Sequence, residues 1–348
     1  MAEPKLSKGY WMEEELRHYF LRAGYYVLRG APLTFSGEDV TDIDLWLYSR
    51  TSSISREIAI VDIKNKKAPQ AMERILWVNS LKEVIGADKA IVATTDRRAL
   101  IADFGKKLDV MVLNGNFISK LPSMSKIKSS RLTEEELINL LKEYDLAKLD
   151  GDWKTKVELG KSLLIKGLSF DSANSLLGIA RFFAEQLLFK DVHRESVVRC
   201  FYLVCSYLSI CIDFILKELS FFQMEERTTN LLHGFTYGSM GKSGLDNIVK
   251  ISTGLIQQFV PDGEGAASQL RVNISKGIHE HPSTILAEFF SRNDVGRNLF
   301  NMAKLLESSA MEGKVFCVDE LGIEVKSLIG CLCDYWELDR VCVFEKLN

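Results

Sequence analysis

Two short segments, residues 41–46 and 60–64, are the feature that most constrains how this 348-residue chain can fold. Both have the alternating pattern of a β-strand, in which successive side chains point to opposite faces. Asp62 and Lys64 therefore share one face, and Asp44 joins them if the two segments pair. Two carboxylates and a lysine at one spot suit Mg²⁺ or Mn²⁺ with a positioned water. The pattern predicts the chemistry that cuts a phosphodiester bond.

Residues 1–120 are expected to form one α/β unit around these segments. The predicted elements, in chain order, are a helix at 10–23, a strand at 25–28, a loop at 31–40, strands at 42–48 and 57–64, a helix at 70–84, a strand at 89–94, a helix at 97–108 and a strand at 110–113. The order α-β-β-β-α-β-α-β predicts a mixed sheet flanked by helices.

The composition changes after this unit. Residues 121–131 contain Pro122 with several serines and lysines, and we interpret them as a linker. A mainly α-helical domain of unknown role is expected over residues 132–312. Its predicted helices are 133–146, 152–166, 171–188, 193–220, 244–259, 266–279, 283–291 and 294–310. The four glycines of residues 234–244 lack Walker A spacing and predict a flexible loop rather than a nucleotide cradle.

Residues 313–348 have a different pattern from the helical domain. The valine-rich segments 315–318 and 341–344 are expected to pair as strands around a helix near 320–336. This arrangement predicts a small α+β or winged-helix-like tail.

Charge and cysteine content narrow the class of protein. The net charge of −3 argues against a uniformly basic nucleic-acid binder, yet residues 1–130 hold 20 Lys+Arg against 16 Asp+Glu. The seven cysteines follow no zinc-binding spacing, and the longest apolar run, residues 200–212, is too short to span a bilayer. We therefore expect a cytoplasmic protein with reduced core cysteines and no membrane partner.

The ordered set of elements resembles the PD-(D/E)xK superfamily of restriction-endonuclease-like nucleases, whose shared core is αβββαβ. The aspartate on the second core strand of that family corresponds to Asp44, and its (D/E)-x-K motif to Asp62-Ile63-Lys64. Residues 9–16 and Gly24-Tyr25-Tyr26-Val27-Leu28-Arg29 are similar to segments of Mrr-like restriction nucleases and archaeal Holliday-junction resolvases. The resemblance covers roughly residues 8–115 of the chain.

The resemblance also implies roles for individual residues. The implied metal ligands are Asp44, Asp62, the backbone carbonyl oxygen of Ile63 and, from the first helix, Glu13. Lys64 would orient or help to deprotonate the attacking water. Glu13 competes for its role with Glu14, which lies about 100° further round the helix.

Four polar residues follow the metal-binding strand, namely Lys66, Lys67, Gln70 and Arg74. Similar nucleases use this region against the phosphate backbone, so we expect these side chains to contact DNA. A solvated helix start explains Lys66 and Lys67 equally well.

Together these features predict a metal-dependent nuclease that hydrolyses phosphodiester bonds in DNA. One alternative is a catalytically silent nucleic-acid-binding scaffold on a nuclease fold, and another is a related nuclease acting on RNA or branched DNA. Without the ordered set, Asp44 would be a solvated edge-strand residue, and Asp62 and Lys64 a surface ion pair. The nuclease is expected to be an endonuclease of a restriction or defence type. Its helical domain is expected to form a homodimer or to bind a partner protein.

Overall fold

The computed structural model of this protein describes residues 8–65, 70–121, 130–142, 151–280 and 282–348. The N-terminal part is a mixed five-stranded sheet with helices, which confirms the predicted α/β organisation. Its elements are α1 (Lys8–Arg22), β1 (Tyr26–Phe35), β2 (Glu38–Arg50), β3 (Arg56–Lys64), α2 (Ala71–Ile85), β4 (Lys89–Thr94), α3 (Ala99–Lys107), β5 (Val110–Leu113) and α4 (Gly115–Ile118). The strands lie in the order β1-β2-β3-β4-β5, antiparallel from β1 to β3 and parallel from β3 to β5.

The two faces of the sheet are covered by different helices. On one face, α1 buries Met12, Leu16 and Phe20, which are four residues apart and therefore lie on one side of the helix. They pack against the side chains of β2 and β3 that alternate with the site residues, including Leu45 and Val61. The opposite face packs against α2 and against the helices that follow the sheet.

The prediction of a loop at residues 31–40 is wrong. β1 continues to Phe35 and β2 begins at Glu38, so that a two-residue turn, Ser36-Gly37, joins them. Both turn residues have a positive φ, which matches the twist of a tight hairpin. Pro32 is a residue typical of loops, but β1 is an edge strand, where a missing N–H is tolerated.

The rest of the described chain is mostly helical, as predicted. Its helices are α5 (Glu134–Lys142), α6 (Trp153–Lys166), α7 (Phe170–Phe189), α8 (Arg194–Leu219), α9 (Met224–Tyr237), α10 (Gly241–Phe259), α11 (Gly263–Glu280), α12 (Ser283–Ser291), α13 (Asn293–Met311), α14 (Ile323–Trp336) and α15 (Arg340–Leu347). Most of the predicted linker, residues 122–129, lies outside the described residues. The sheet and these helices share one hydrophobic core, in which Tyr26 of β1 hydrogen-bonds Ser206 of α8 over 2.6 Å.

Two predictions for the helical part are wrong. Residues 234–244 do not form a loop, because α9 includes Gly234 and α10 begins at Gly241. A Cβ at Gly234 would lie 2.3 Å from the ring of Phe170, so tight packing explains this glycine inside a helix. The strand pair predicted for the tail is also absent from the described residues. Val341–Phe344 belongs to α15, where the Asp339 side chain caps the first turn.

One helix in the described part of the chain, Asp191–Leu219, is long and apolar enough to cross a membrane by length and composition. In this structure 89% of its most apolar window is buried inside the protein. It packs against α7 and α13, so burial in the core accounts for its composition.

Candidate active site

The pairing of β2 with β3 brings the predicted site residues together. Leu45 is paired with Val61, and one residue further along the same register lie Asp44 and Asp62. β3 then continues beside β4, so that Lys64 is paired with Thr94 at the carboxyl end of the parallel strands. The two carboxylates and the lysine therefore lie where the pairing of β2 with β3 ends, at the carboxyl end of β3.

The side-chain alternation of β2 is broken between Ile43 and Trp46, the two residues that flank Asp44 and Leu45. Leu28 and Ala31 of β1 are three residues apart, yet both are buried in the core on the α2 side of the sheet. Ile43 and Trp46 of β2 show the same break. Gly30, which lies between Leu28 and Ala31, has a φ of +57°, a left-handed conformation that suits glycine. Asp44 lies on the neighbouring strand at this irregular point.

The carboxylate of Asp44 is largely enclosed. Its Oδ2 accepts a hydrogen bond of 2.6 Å from the backbone N–H of Ile63. Burial raises the pKa of Asp44 to about 7, the bond from Ile63 opposes this shift, and the negative charge of Asp62 adds to it. An acid with a pKa near 7 in a cleft is typical of a functional site.

Asp62 is 7% exposed and lies between two basic side chains. The Nζ of Lys64 is 3.8 Å from Asp62 Oδ1. Arg74 of α2 makes a closer, two-pronged contact, with its Nε 2.9 Å from Asp62 Oδ2 and its second nitrogen on Oδ1. The predicted DNA-binding residue Arg74 thus pairs with a predicted metal ligand, and it also lies 5.6 Å from the ring centroid of Trp77.

Of the other three predicted DNA-binding residues, only Gln70 is among the residues that the structure describes. Gln70 is exposed immediately before α2, and its side chain makes no capping hydrogen bond. Lys66 and Lys67 lie outside the described residues. The contact between this region and DNA therefore stays a prediction.

The structure separates the roles of the two competing glutamates on α1. Glu14 is buried and forms ion pairs with Arg17 and Arg29, at 3.4 and 2.8 Å, so it belongs to a structural network. Glu13 lines the same cavity as Asp44, and its Oε2 accepts a hydrogen bond of 2.9 Å from Arg29. Burial raises the pKa of Glu13, although the charge of Arg29 opposes the shift. Glu13 is thus the residue of the two that faces the candidate site.

The cavity beside Asp44 has a volume of about 290 Å³ and is bounded by α1, β1, β2, α5 and α6. Its charged lining residues are Glu13, Arg29, Asp42, Asp44, Lys154, Glu158, Lys161, Glu134 and Glu135. Asp62 and Lys64 do not line it, so Asp44 lies between this cavity and the Asp62–Lys64 pair. The excess of acidic over basic side chains gives the cavity a negative potential that favours cations.

The helical part of the chain closes one side of this cavity, which was not predicted from sequence. Glu135 of α5 holds Arg29 through two hydrogen bonds of 2.8 and 2.9 Å. Glu134 accepts a hydrogen bond of 2.8 Å from Lys161 of α6. Burial alone would raise the pKa of Glu134, but the charges of Lys161 and Arg17 outweigh this effect and lower the pKa to about 2. No local sequence signal marks these partners, because each pair is separated by many residues.

Asp44 and Asp62 offer carboxylate oxygens, the kind of ligand that a divalent cation such as Mg²⁺ requires. Within residues 8–65, 70–121, 130–142, 151–280 and 282–348, no group of three or more acidic, histidine or cysteine side chains is gathered closely enough to hold a metal. Mg²⁺ retains several waters and commonly uses only one or two carboxylates. Asp44 and Asp62 meet that smaller requirement, and a cation would offset the cost of ionising Asp44.

Comparison with known proteins identifies no relative of this chain. No protein-family model, curated protein or solved structure matches this chain.

Releasing Asp62 from Arg74 is expected to favour metal binding. The guanidinium competes with a cation for the same carboxylate, so Arg74→Ala should raise the affinity for Mn²⁺ by roughly ten-fold in a calorimetric titration. Arg98→Ala is the matched control, because Arg98 forms an exposed ion pair with Asp96 at 2.6 Å, outside the site. An Arg74→Ala protein with unchanged or weaker Mn²⁺ affinity would contradict this competition.

Proposed function

We propose that this protein is a metal-dependent nuclease that hydrolyses phosphodiester bonds in DNA, as an endonuclease of a restriction or defence type. The observation that carries the proposal is the placement of Asp44, Asp62 and Lys64 where the pairing of β2 with β3 ends. The element order α1-β1-β2-β3-α2-β4 supports a restriction-endonuclease-like fold, because it agrees with αβββαβ.

The acidic residues of the site would serve as metal ligands. Asp44 and Asp62 would hold Mg²⁺ or Mn²⁺, with the carbonyl oxygen of Ile63 and the Glu13 carboxylate as the further predicted ligands. Such an ion, when bound, activates a water and stabilises charge on the phosphoryl oxygens. Asp44 must lose its proton to serve as a ligand, which favours activity above pH 7.

Lys64 would contribute a positive charge next to the scissile phosphate. Its ammonium group is 3.8 Å from Asp62, and its side chain is 30% exposed, so it can reach a substrate. A fixed ammonium orients a water and offsets the negative charge that develops during phosphoryl transfer. This is why the lysine is assigned a catalytic role rather than a purely structural one.

One observation favours the alternative of a catalytically silent nucleic-acid-binding scaffold. Arg74 already neutralises Asp62 through a two-pronged ion pair, as would suit a site that no longer binds a metal. The two proposals differ in whether DNA is cut, so one assay distinguishes them.

Nicking of supercoiled plasmid tests the proposed function. Wild type is expected to cut in Mg²⁺ or Mn²⁺ and to stop in EDTA, and Lys64→Met should lower the rate by about 10²-fold because the transition state loses a positive charge. Lys106→Met is the matched control, since Lys106 is exposed on α3. Equal cutting by wild type and Lys64→Met would exclude this site, and binding without cutting would favour the scaffold.

A further inference from the structure

A second charged pocket lies where the turn between β2 and β3 meets the helices. We call it the arginine pocket, and its four arginines are Arg50, Arg56, Arg227 and Arg297. Its volume is about 200 Å³, and Ser53 and Asn293 add polar groups to its wall. Among the described residues that line it, none is acidic.

Two of the arginines are fixed by one buried carboxylate. Asp213 of α8 is fully buried and accepts hydrogen bonds from Arg56 Nε at 2.5 Å and from Arg50 at 2.8 Å. Arg50 also donates to the carbonyl oxygen of Gly296 over 2.7 Å. These contacts hold both guanidinium groups in place before any ligand arrives.

The third arginine is fixed by backbone oxygens. Arg227 of α9 donates to the carbonyl oxygens of Leu219, Phe222 and Ser291 at 2.9 to 3.2 Å. It also donates to the Asn293 side chain over 2.7 Å. None of these four acceptors is a carboxylate, so the positive charge of Arg227 is not neutralised by them.

The fourth arginine leaves the pocket with surplus charge. Arg297 is exposed on α13, and within the described part of the chain its side chain has no hydrogen bond or ion pair. Asp213 therefore balances one of the four guanidinium charges. The first turn of α13, which begins at Asn293, adds the partial positive charge of a helix N-terminus, and the acidic residue of that turn, Asp294, is paired with Arg292 at 2.6 Å.

We propose that the arginine pocket binds the phosphate group of a small phosphorylated molecule, such as pyrophosphate or a nucleoside triphosphate. Guanidinium groups match phosphate oxygens in geometry as well as in charge. A volume of about 200 Å³ accommodates phosphate groups, whereas pockets that enclose a whole drug-sized ligand are larger. A nucleoside attached to the phosphate would therefore extend beyond the pocket.

The arginine pocket is separate from the candidate active site. Arg50 lies six residues beyond Asp44 on β2, which places their Cα atoms about 20 Å apart. The pocket joins the sheet to α8, α9, α12 and α13, so a bound anion would contact both parts of the chain. This ligand site does not depend on the proposed nuclease activity.

Calorimetric titration of the full chain with pyrophosphate in EDTA tests the proposal without any cleavage. Wild type is expected to bind, and Arg297→Ala should weaken binding at least about ten-fold because a guanidinium is lost. Arg292→Ala should leave the affinity unchanged, since Arg292 is exposed near the start of α13 and pairs with Asp294 outside the pocket. ATP binding in parallel would show that a nucleoside is tolerated.

Asn293→Asp supplies a second variant that should fold normally. It retains the oxygen that accepts from Arg227, and an acidic residue is favourable in the first turn of a helix. The added negative charge should nevertheless weaken pyrophosphate binding at least about ten-fold. The proposal is overturned if wild type binds neither anion up to roughly 10 mM, or if both pocket variants bind like wild type. A wild type that binds a single-stranded oligonucleotide in the same titration, but neither pyrophosphate nor ATP, would overturn the proposal as well.

Discussion

Replacing Asp44 with asparagine is expected to abolish metal-dependent cleavage and at the same time to stabilise the metal-free protein. Cleavage should fall by about 10³-fold, because a neutral amide cannot replace a carboxylate ligand. The asparagine oxygen can still accept the hydrogen bond from Ile63. Stability should rise by about 1–3 kcal/mol at pH 8, because the variant does not ionise a buried group.

The pH dependence of this stabilisation follows from the pKa of Asp44, which is 3.8 ordinarily and about 7 in the folded protein. Between these values the unfolded chain releases a proton that the folded protein retains, so Asp44 makes wild-type stability fall as pH rises. The difference between Asp44→Asn and wild type should therefore widen from about pH 4 to pH 7 and remain constant above it. Denaturant unfolding at several pH values in EDTA measures this difference.

Asp39→Asn is the matched control for this experiment. Asp39 lies five residues earlier on β2, is exposed and does not line the cavity, so its substitution should change neither activity nor the pH dependence of stability. A stability difference for Asp44→Asn that does not vary with pH would contradict the burial of an ionisable Asp44. Full activity in Asp44→Asn would remove Asp44 from the site.

Replacing Asp213 with alanine is expected to destabilise the fold strongly. Its fully buried carboxylate accepts hydrogen bonds from Tyr48, Arg50 and Arg56. Burial and the charge of Asp213 raise the pKa of Tyr48, so this hydroxyl stays protonated and donates. Removing the acceptor leaves buried positive charge uncompensated, which should cost about 3–5 kcal/mol in the free energy of unfolding.

Asp294→Ala is the matched control, because Asp294 forms an exposed ion pair with Arg292 at 2.6 Å and should cost less than about 1 kcal/mol. Asp213 lies on α8, and its partners lie on β2 and β3, so its loss should destabilise the sheet and the helices together. Separate unfolding transitions for the two parts, or a cost for Asp213→Ala as small as that of the control, would contradict this role.

Local patterns were sufficient to predict much of the fold. Alternation along β3 predicted a shared face for Asp62 and Lys64, and their Nζ–Oδ1 distance of 3.8 Å agrees with it. Helical periodicity predicted α12 at its observed bounds, Ser283–Ser291. Such features are recoverable because the relevant residues lie within a few positions of each other.

The errors arose where neighbouring elements override local preference. Pro32 is tolerated in β1 because that strand is at the edge of the sheet, and Gly234 is required in α9 by the ring of Phe170. In the candidate site, the pairing of Arg74 with Asp62 was missed because charge and helical spacing alone do not reveal a partner. The closure of the cavity by α5 depends on contacts such as Arg29–Glu135, across more than a hundred residues.

Divalent-cation binding by Asp44 and Asp62 is the property on which nuclease activity would depend, and a Mn²⁺ titration at pH 6 and pH 8 measures it most directly. Wild type is expected to bind Mn²⁺ more tightly at pH 8, because ligation requires Asp44 to lose a proton whose pKa is about 7. Asp62→Asn should weaken binding by about 10²-fold or more at pH 8. Wild type and Asp62→Asn proteins that bind Mn²⁺ equally, or a wild type that does not bind it, would contradict a metal site at these strands.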